Sequence, residues 1–149
     1  MWRIRVPGFK NLEIENLVFD FNGTLAVDGV LLPGVKGELS ELSSQFDIHI
    51  VTADTFGKAA EQLAGIPCKL EILPSEHQAE AKRQFVLKLG NTRCIAVGNG
   101  RNDSLMLNEA AVGIIVLQEE GASSMTLMSS DVVCRNIFDA FYLFKHPKR

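Results

Sequence analysis

The sequence lacks the features that mark secreted and membrane proteins. Its 149 residues include only three cysteines, Cys68, Cys94 and Cys134, with the spacing of neither a disulfide framework nor a metal site. A membrane-spanning helix needs about 20 consecutive apolar residues, and the longest candidate run, residues 110–117, is far shorter. No apolar signal core follows the first charged residues. We therefore expect buried, reduced thiols and a cytoplasmic protein without a membrane partner.

Positive charge is also scarce. The formal net charge is −3 at pH 7 and the pI is about 5.6, so the chain lacks the cationic field that nucleic-acid binding requires. The basic residues at 145–149 are interpreted as a solvated tail. Hydrophobic residues make up 46% of the chain and charged residues 22%, proportions typical of a globular domain and not of a disordered or fibrous protein.

Short apolar runs rich in β-branched residues alternate with amphipathic segments. This alternation is typical of an α/β protein with a mainly parallel sheet. The predicted strands are 17–19, 48–51, 69–73, 94–97, 113–116 and 131–134. The predicted helices are 35–46, 56–63, 75–89, 103–111 and 137–144. Ser75 and Gln78 have the spacing of a capping box at the start of the third helix.

Two β-hairpins are predicted outside this alternation. Residues 1–15 contain two short apolar segments around Pro7–Gly8 and should form a hairpin at the edge of the sheet. Residues 25–31 contain Asp28–Gly29, a pair suited to a turn with positive φ. Residues 16–144 should form the core of a single domain. Within that core, the residues from Glu119 are expected to begin a helix, where acidic side chains suit the helix dipole.

Polar residues stand where three predicted strands end. Asp20 follows the first strand, Thr52 the second and Asn99 the fourth, and ligands bind outside the carboxyl ends of such strands. A carboxylate there can attack phosphorus, Mg²⁺ prefers oxygen ligands, and hydroxyl, backbone N–H and lysine groups can neutralise a phosphoryl group. The predicted catalytic residues are Asp20, Asn22, Thr52 and Lys82. The predicted phosphate-binding residues are Asn22, Gly23, Thr52, Ala53 and Lys82, and the predicted magnesium ligands are Asp20, Asn22, Asn99 and Asp103.

These residues resemble the four motifs of the haloacid dehalogenase superfamily of phosphatases and phosphotransferases. Residues 20–24, Asp-Phe-Asn-Gly-Thr, are similar to motif one, whose first Asp is the nucleophile. Thr52 resembles the hydroxyl residue of motif two, Lys82 the lysine of motif three, and residues 98–103 the acidic motif four. The similarity is closer still to the phosphorylation domain of P-type ATPases, whose motif two, Thr-Gly-Asp, compares with Thr-Ala-Asp at 52–54. The resemblance implies a three-layer α/β/α Rossmann-like fold, a Mg²⁺ cofactor and a phosphorylated substrate.

Two positions depart from the family pattern. Asn22 stands where the phosphatases usually have a second Asp that acts as general acid and base, and an amide cannot exchange a proton near neutral pH. Asn99 stands at the first acidic position of motif four. The loss of two negative charges weakens the attraction for a metal ion. We therefore expect slow turnover, weaker Mg²⁺ binding and a preference for acyl or aryl phosphates, which have good leaving groups.

The segment between Asp20 and Thr52 has room only for a hairpin and one helix. It excludes a sizeable cap and the inserted nucleotide-binding domain of a P-type pump. Relatives without a cap use large substrates or a neighbouring subunit that covers the site, which leaves a homo-oligomer open. The main alternative to a phosphatase is a non-catalytic phosphate- or metal-binding regulatory module. A third hypothesis is that deamidation at the two Asn-Gly pairs, 22–23 and 99–100, regenerates the acidic pattern.

Overall fold

A six-stranded parallel sheet forms the centre of the protein, for which the computed structural model describes residues 1–147. The strands of these residues are β1 (Trp2–Arg5), β2 (Asn11–Ile14), β3 (Asn16–Asp20), β4 (Ala26–Val27), β5 (Val30–Leu31), β6 (Asp47–Thr52), β7 (Lys69–Ile72), β8 (Cys94–Gly98), β9 (Val112–Val116) and β10 (Val132–Cys134), of which β3 and β6 to β10 form the central sheet. The order in the sheet is β10-β9-β8-β3-β6-β7. The chain therefore adds β6 and β7 on one side of β3, and then adds β8, β9 and β10 on its other side. This reversal is the topological switch point at which α/β proteins bind ligands.

Helices cover both faces of the sheet. They are α1 (Val35–Leu42), α2 (Ala59–Leu63), α3 (Gln78–Leu89), α4 (Ser104–Glu109), α5 (Ser124–Ser129) and α6 (Ile137–Lys145). Successive residues of a strand point to opposite faces, so Phe19 packs in one core with Phe141 of α6, while Val18 packs in the other with Val86 of α3. The predicted three-layer α/β/α arrangement and the six predicted strands are confirmed.

The start of α3 differs from the prediction. The helix begins at Gln78, and the preceding His77 adopts a left-handed conformation with φ 56°. This turn separates Ser75 from the helix, so the predicted Ser75 capping box is wrong. In a capping box the glutamine side chain accepts the backbone N–H of the serine. Here the Gln78 side chain instead donates to the backbone oxygen of Ser75.

The helix expected from Glu119 is also displaced. Residues 118–123 form a loop, and α5 begins only after Ser123. Gln118 and Gly121 have positive φ values of 54° and 81°, which a right-handed helix does not permit. Glu119 and Glu120 therefore lie in the loop that follows β9.

Both predicted hairpins form, but the first does not join the central sheet. Strands β1 and β2 make a separate antiparallel pair. Leu12 and Ile14 are buried against the core, with the Trp2 ring 5.8 Å from the ring of Phe46. Glu15 then bonds to the backbone of residues that begin or precede β6 and β8. The hairpin thus packs at the amino ends of the strands, and its predicted place at the sheet edge is wrong.

The prediction of buried thiols is confirmed for Cys94 and Cys134, whereas Cys68 is only half-buried; all three are free thiols. Lys145 belongs to α6 and forms an ion pair with Glu41 at 2.9 Å, so the tail does not begin at residue 145 as predicted. The end of that tail, residues 148–149, lies outside the described residues. Within residues 1–147, every helix is too short or too polar to cross a bilayer.

Candidate active site

Three adjacent strands bring the predicted site residues together. Asp20 ends β3, Thr52 ends β6 and Asn99 follows β8, and β3 lies between the other two strands. Their side chains line a cavity of about 400 Å³ at the carboxyl edge of the sheet. Asn22 and Ala53, also predicted from the sequence, contribute to the same lining.

Lys82 is a buried cation that joins two carboxylates. It lies in α3, its side chain is 1% exposed, and Nζ donates to Oδ1 of Asp20 and to Oδ1 of Asp103 at 2.8 Å each. A buried charge is stable only when it is paired and hydrogen-bonded in this way. The fold therefore unites three predicted residues that are far apart in sequence.

Burial and charge shift the pKa values of this group. Burial, reinforced by the nearby Asp103 carboxylate, raises the pKa of Asp20 to about 7 although Lys82 opposes the shift. Burial alone would lower the pKa of Lys82, but the charges and hydrogen bonds of Asp20 and Asp103 outweigh it and raise that pKa. Lys82 is consequently charged at neutral pH. A second cation beside Asp20 would favour its ionised form.

Asp103 is committed to structural contacts. Its Oδ2 accepts the backbone N–H groups of Asn99 and Gly100 at 3.0 Å each, while Oδ1 binds Lys82. The residue is fully buried and does not contribute to the cavity lining. Gly98 makes this close packing feasible, because a Cβ there would lie 2.5 Å from Cγ of Asp103. The carboxylate thus fixes Lys82 and the loop after β8.

Asn22 connects the turn after β3 to the second hairpin. The backbone oxygen of Phe21 accepts N–H groups from Leu25 and Ala26 at 2.9 and 3.0 Å, which closes the turn. The Asn22 Oδ1 atom accepts the N–H of Gly29 at 2.8 Å, in the turn between β4 and β5. The Asn22 side chain therefore holds the hairpin beside the cavity, and as an amide it supplies no exchangeable proton.

The Thr52 hydroxyl is oriented by the residues that follow it. Its Oγ1 accepts the N–H of Asp54 at 2.9 Å, and Oδ1 of Asp54 accepts the N–H of Ala59 at 3.0 Å in the first turn of α2. Asp54 makes this turn with φ 54°. Because the hydroxyl accepts one bond, its hydrogen remains available to donate to an anionic oxygen in the cavity.

Both Asn-Gly pairs have an engaged glycine nitrogen. The N–H of Gly23 donates to the Ala26 oxygen at 2.7 Å, and the N–H of Gly100 donates to Asp103 at 3.0 Å. Deamidation requires that nitrogen to attack the preceding asparagine side chain. These bonds therefore oppose the deamidation hypothesis in the folded protein.

Glu120 is a cavity residue that the sequence reasoning missed. Its Oε1 accepts a hydrogen bond from Nδ2 of Asn99 at 3.0 Å, and its side chain shares the cavity with Asp20. Gly23, with φ 81°, leaves room for this contact, because a Cβ there would lie 2.4 Å from Oε1 of Glu120 and 2.7 Å from Oδ1 of Asn99. The available signal was position: the loop follows β9, whose carboxyl end faces the same edge.

The donor set suits a hard divalent cation that keeps few protein ligands. Asp20, Asn22 and Asn99 line the cavity and carry oxygen atoms, and Mg²⁺ usually takes one or two carboxylates together with water and substrate phosphate. Among residues 1–147, no group of three or more His, Cys, Asp or Glu side chains is placed to hold a metal ion. A cation here would therefore also use carbonyl oxygens, water and substrate oxygens.

The fold is similar to that of solved phosphatases, among them members of the haloacid dehalogenase superfamily. The 3-deoxy-D-manno-octulosonate 8-phosphate phosphatase of Moraxella catarrhalis, solved with magnesium, phosphate and KDO, aligns with a TM-score of 0.68 and 16% identity over 91% of this chain and 87% of that chain. The cobalt-bound enzyme of Haemophilus influenzae aligns with a TM-score of 0.70 and 12% identity over 91% of this chain and 90% of that chain. A phosphoserine phosphatase in its apo form aligns with a TM-score of 0.62 and 14% identity over 90% of this chain and 99% of that chain.

The chain therefore has the haloacid dehalogenase-like fold that was predicted, and the described residues 1–147 contain no cap domain. Only the β4–β5 hairpin and α1 stand between β3 and β6. No protein-family model matches the chain. An uncharacterized protein of Methanocaldococcus jannaschii is 48% identical over 59 residues, which are 40% of this chain and 63% of that relative's length. A second uncharacterized protein of that organism is 44% identical over 39 residues, 26% of this chain and 89% of its own.

Proposed function

We propose that the protein is a divalent-metal-dependent phosphatase that transfers the phosphoryl group of its substrate to Asp20. The observation that carries this proposal is the Asp20 carboxylate at the cavity, bound at 2.8 Å by the buried Lys82 ammonium. The position of this pair beside the switch point of the sheet supports it. The fold shared with phosphatases solved with magnesium or cobalt adds further support.

The proposed chemistry has two steps. An Asp20 oxygen bonds to phosphorus while the bond to the leaving oxygen breaks, which gives an aspartyl-phosphate. Water then attacks phosphorus, the bond to Asp20 breaks, and phosphate and the free carboxylate are released. In both steps Lys82, the Thr52 hydroxyl and the backbone N–H of Ala53 stabilise negative charge on the phosphoryl oxygens. A bound Mg²⁺, held by oxygens of Asp20, Asn22 and Asn99, would supply further positive charge there.

Asn22 limits the substrates that such a site can process. Without an acid at this position, the leaving oxygen departs unprotonated, which favours acyl and aryl phosphates over alkyl phosphates. Without a base, the attacking water is not activated, so hydrolysis of the phosphorylated enzyme is slow. General acid–base catalysis contributes roughly 10²–10⁴-fold to rates, and we expect turnover to be lower by a factor of that order.

Hydrolysis of para-nitrophenyl phosphate with Mg²⁺ tests the proposal. Asp20→Asn should abolish turnover because the nucleophile is lost, and EDTA should abolish it in the wild type. Asp28→Asn is the matched control, because Asp28 is exposed in the β4–β5 turn with φ 50°, a conformation that asparagine tolerates. Equal rates in wild type and Asp20→Asn would contradict the proposal. Phosphate binding without turnover would instead favour the regulatory binding module.

A further inference from the structure

The proposed metal site has little negative charge of its own. Of the predicted ligands that line the cavity, Asn22 and Asn99 are neutral and Asp20 carries one charge that Lys82 partly offsets. Both oxygens of Asp103 are already bound to Lys82 and to the backbone. Attraction for a divalent cation depends directly on nearby negative charge. The site therefore needs another source of negative charge to bind a divalent cation.

Glu120 brings a carboxylate to the cavity, beside Asn99. Its Oε1 accepts from Nδ2 of Asn99 at 3.0 Å, and it lies where a side chain on Gly23 would otherwise be. An asparagine whose amide nitrogen is bound to a carboxylate has its carbonyl oxygen left for a cation. The same Asn99 nitrogen also donates to the backbone oxygen of Gly121 at 3.4 Å, and these two contacts leave Oδ1 of Asn99 free to bind a cation.

The loop that carries Glu120 is fixed on both sides of it. Before it, the Gln118 side chain donates to the backbone oxygen of Thr24, in the turn that contains the Asp20 motif. After it, the N–H of Ser123 donates to the backbone oxygen of Asn99 at 3.0 Å. These bonds tie the loop to both halves of the cavity. Glu120 is therefore held beside Asn99 although its side chain is exposed.

We propose that Glu120 is a positioning residue of the metal site. It directs the Asn99 carbonyl oxygen toward the cation and replaces the negative charge absent at position 99. This inference rests on the proposed function, since it assumes a divalent cation in the cavity. Partners of metal ligands commonly change metal affinity by about 10- to 100-fold when mutated, and the exposure of Glu120 places the expected effect near the lower value.

Calorimetric titration of the full chain with Mg²⁺ tests the inference. Glu120→Gln should raise the Kd about tenfold, whereas Glu119→Gln, which removes an exposed charge from the neighbouring residue, should leave it unchanged. The double variant Asn99→Asp/Glu120→Gln should restore wild-type affinity, because a carboxylate at position 99 needs no partner. Thermal unfolding in EDTA checks that each variant folds. Glu120→Asp, which keeps the charge on a shorter side chain, should also weaken binding.

The outcomes separate the two proposals. If wild-type protein does not bind Mg²⁺, the metal-dependent function fails and this inference fails with it. If wild type binds and Glu120→Gln binds equally well, the role of the Glu120 charge is refuted, because glutamine can still accept from Nδ2 of Asn99. Equal binding by Glu120→Asp would refute the positioning role. Equal weakening by Glu119→Gln would refute it too, because the effect would then be one of overall charge. Failure of Asn99→Asp to restore affinity would show that Glu120 does not act through position 99.

Discussion

Replacing Lys82 with methionine tests whether one buried ammonium group stabilises the whole site. Nζ lies 2.8 Å from oxygens of Asp20 and Asp103, and the Lys82 and Asp103 side chains are 1% and 0% exposed. Methionine retains an apolar stem of similar length but carries no charge. Two buried carboxyl groups then remain without a cation beside them, and the Asp103 charge is left unpaired. Removing one partner of a buried ion pair costs about 3–5 kcal/mol, and we expect a loss of this size in the free energy of unfolding.

Urea denaturation in EDTA measures the loss without interference from bound metal. Unfolding can be followed by the fluorescence of Trp2, which packs against Phe46. Lys88→Met is the control, since Lys88 is an exposed residue of the same helix, and exposed substitutions usually change stability by about 0.5 kcal/mol or less. Similar losses in the Lys82 and Lys88 variants would contradict the expected role of the ion pair.

A second substitution decides whether charge is the cause. Asp103→Asn should destabilise the wild type, because it removes a partner of Lys82. In the Lys82→Met background it should stabilise, because it removes a buried charge that no longer has a cation beside it, while its carbonyl oxygen can still accept from Asn99 and Gly100. The sign of the effect should therefore reverse. Destabilisation by the same amount in both backgrounds would refute the electrostatic reasoning.

Two further substitutions give independent predictions. An aspartate at position 22 can still accept the N–H of Gly29, as Asn22 does at 2.8 Å. Asn22→Asp should therefore add acid–base catalysis and raise the turnover of aryl phosphates by up to roughly 10²–10⁴-fold. Unchanged turnover would show that proton transfer does not limit the rate. His49 bonds to Asn16 at 2.9 Å, and its burial, with the charge of Lys69, lowers its pKa. The folded state therefore disfavours its protonation, so stability should be fully present above the ordinary histidine pKa of about 6.5 and fall as pH drops below it. Urea midpoints measured on both sides of that value should change less in His49→Gln.

The sheet was predictable because its central strands β3, β8 and β9 are buried on both faces. Residues 17–19 and 94–97 are continuous apolar runs, as parallel strands between two helix layers require. The position of the first hairpin was not predictable, because the apolar residues Leu12 and Ile14 do not specify the surface they cover. The capping prediction at Ser75 failed because the left-handed turn at His77 overrides a local spacing signal.

The site was predictable where strand ends fix positions. Asp20, Thr52 and Asn99 follow strands that are neighbours in the sheet, so their approach follows from the topology. Lys82 was a weaker prediction, since a lysine on a helix is usually solvated, and the family resemblance strengthened it. The position of Glu120 after β9 indicated the same edge of the sheet, but its contact with Asn99 depends on a loop whose conformation no motif specifies.

The arrangement separates metal affinity from proton transfer. A carboxylate at position 22 would supply both negative charge and an exchangeable proton, and the amide of Asn22 supplies neither. Glu120 can replace charge, but its contact is with Asn99 rather than with Asn22. Changes at Glu120 should therefore alter metal affinity alone, whereas Asn22→Asp should also alter turnover at saturating Mg²⁺. A change at Glu120 that reduced turnover at saturating Mg²⁺ would contradict this division, because charge alone would no longer explain its role.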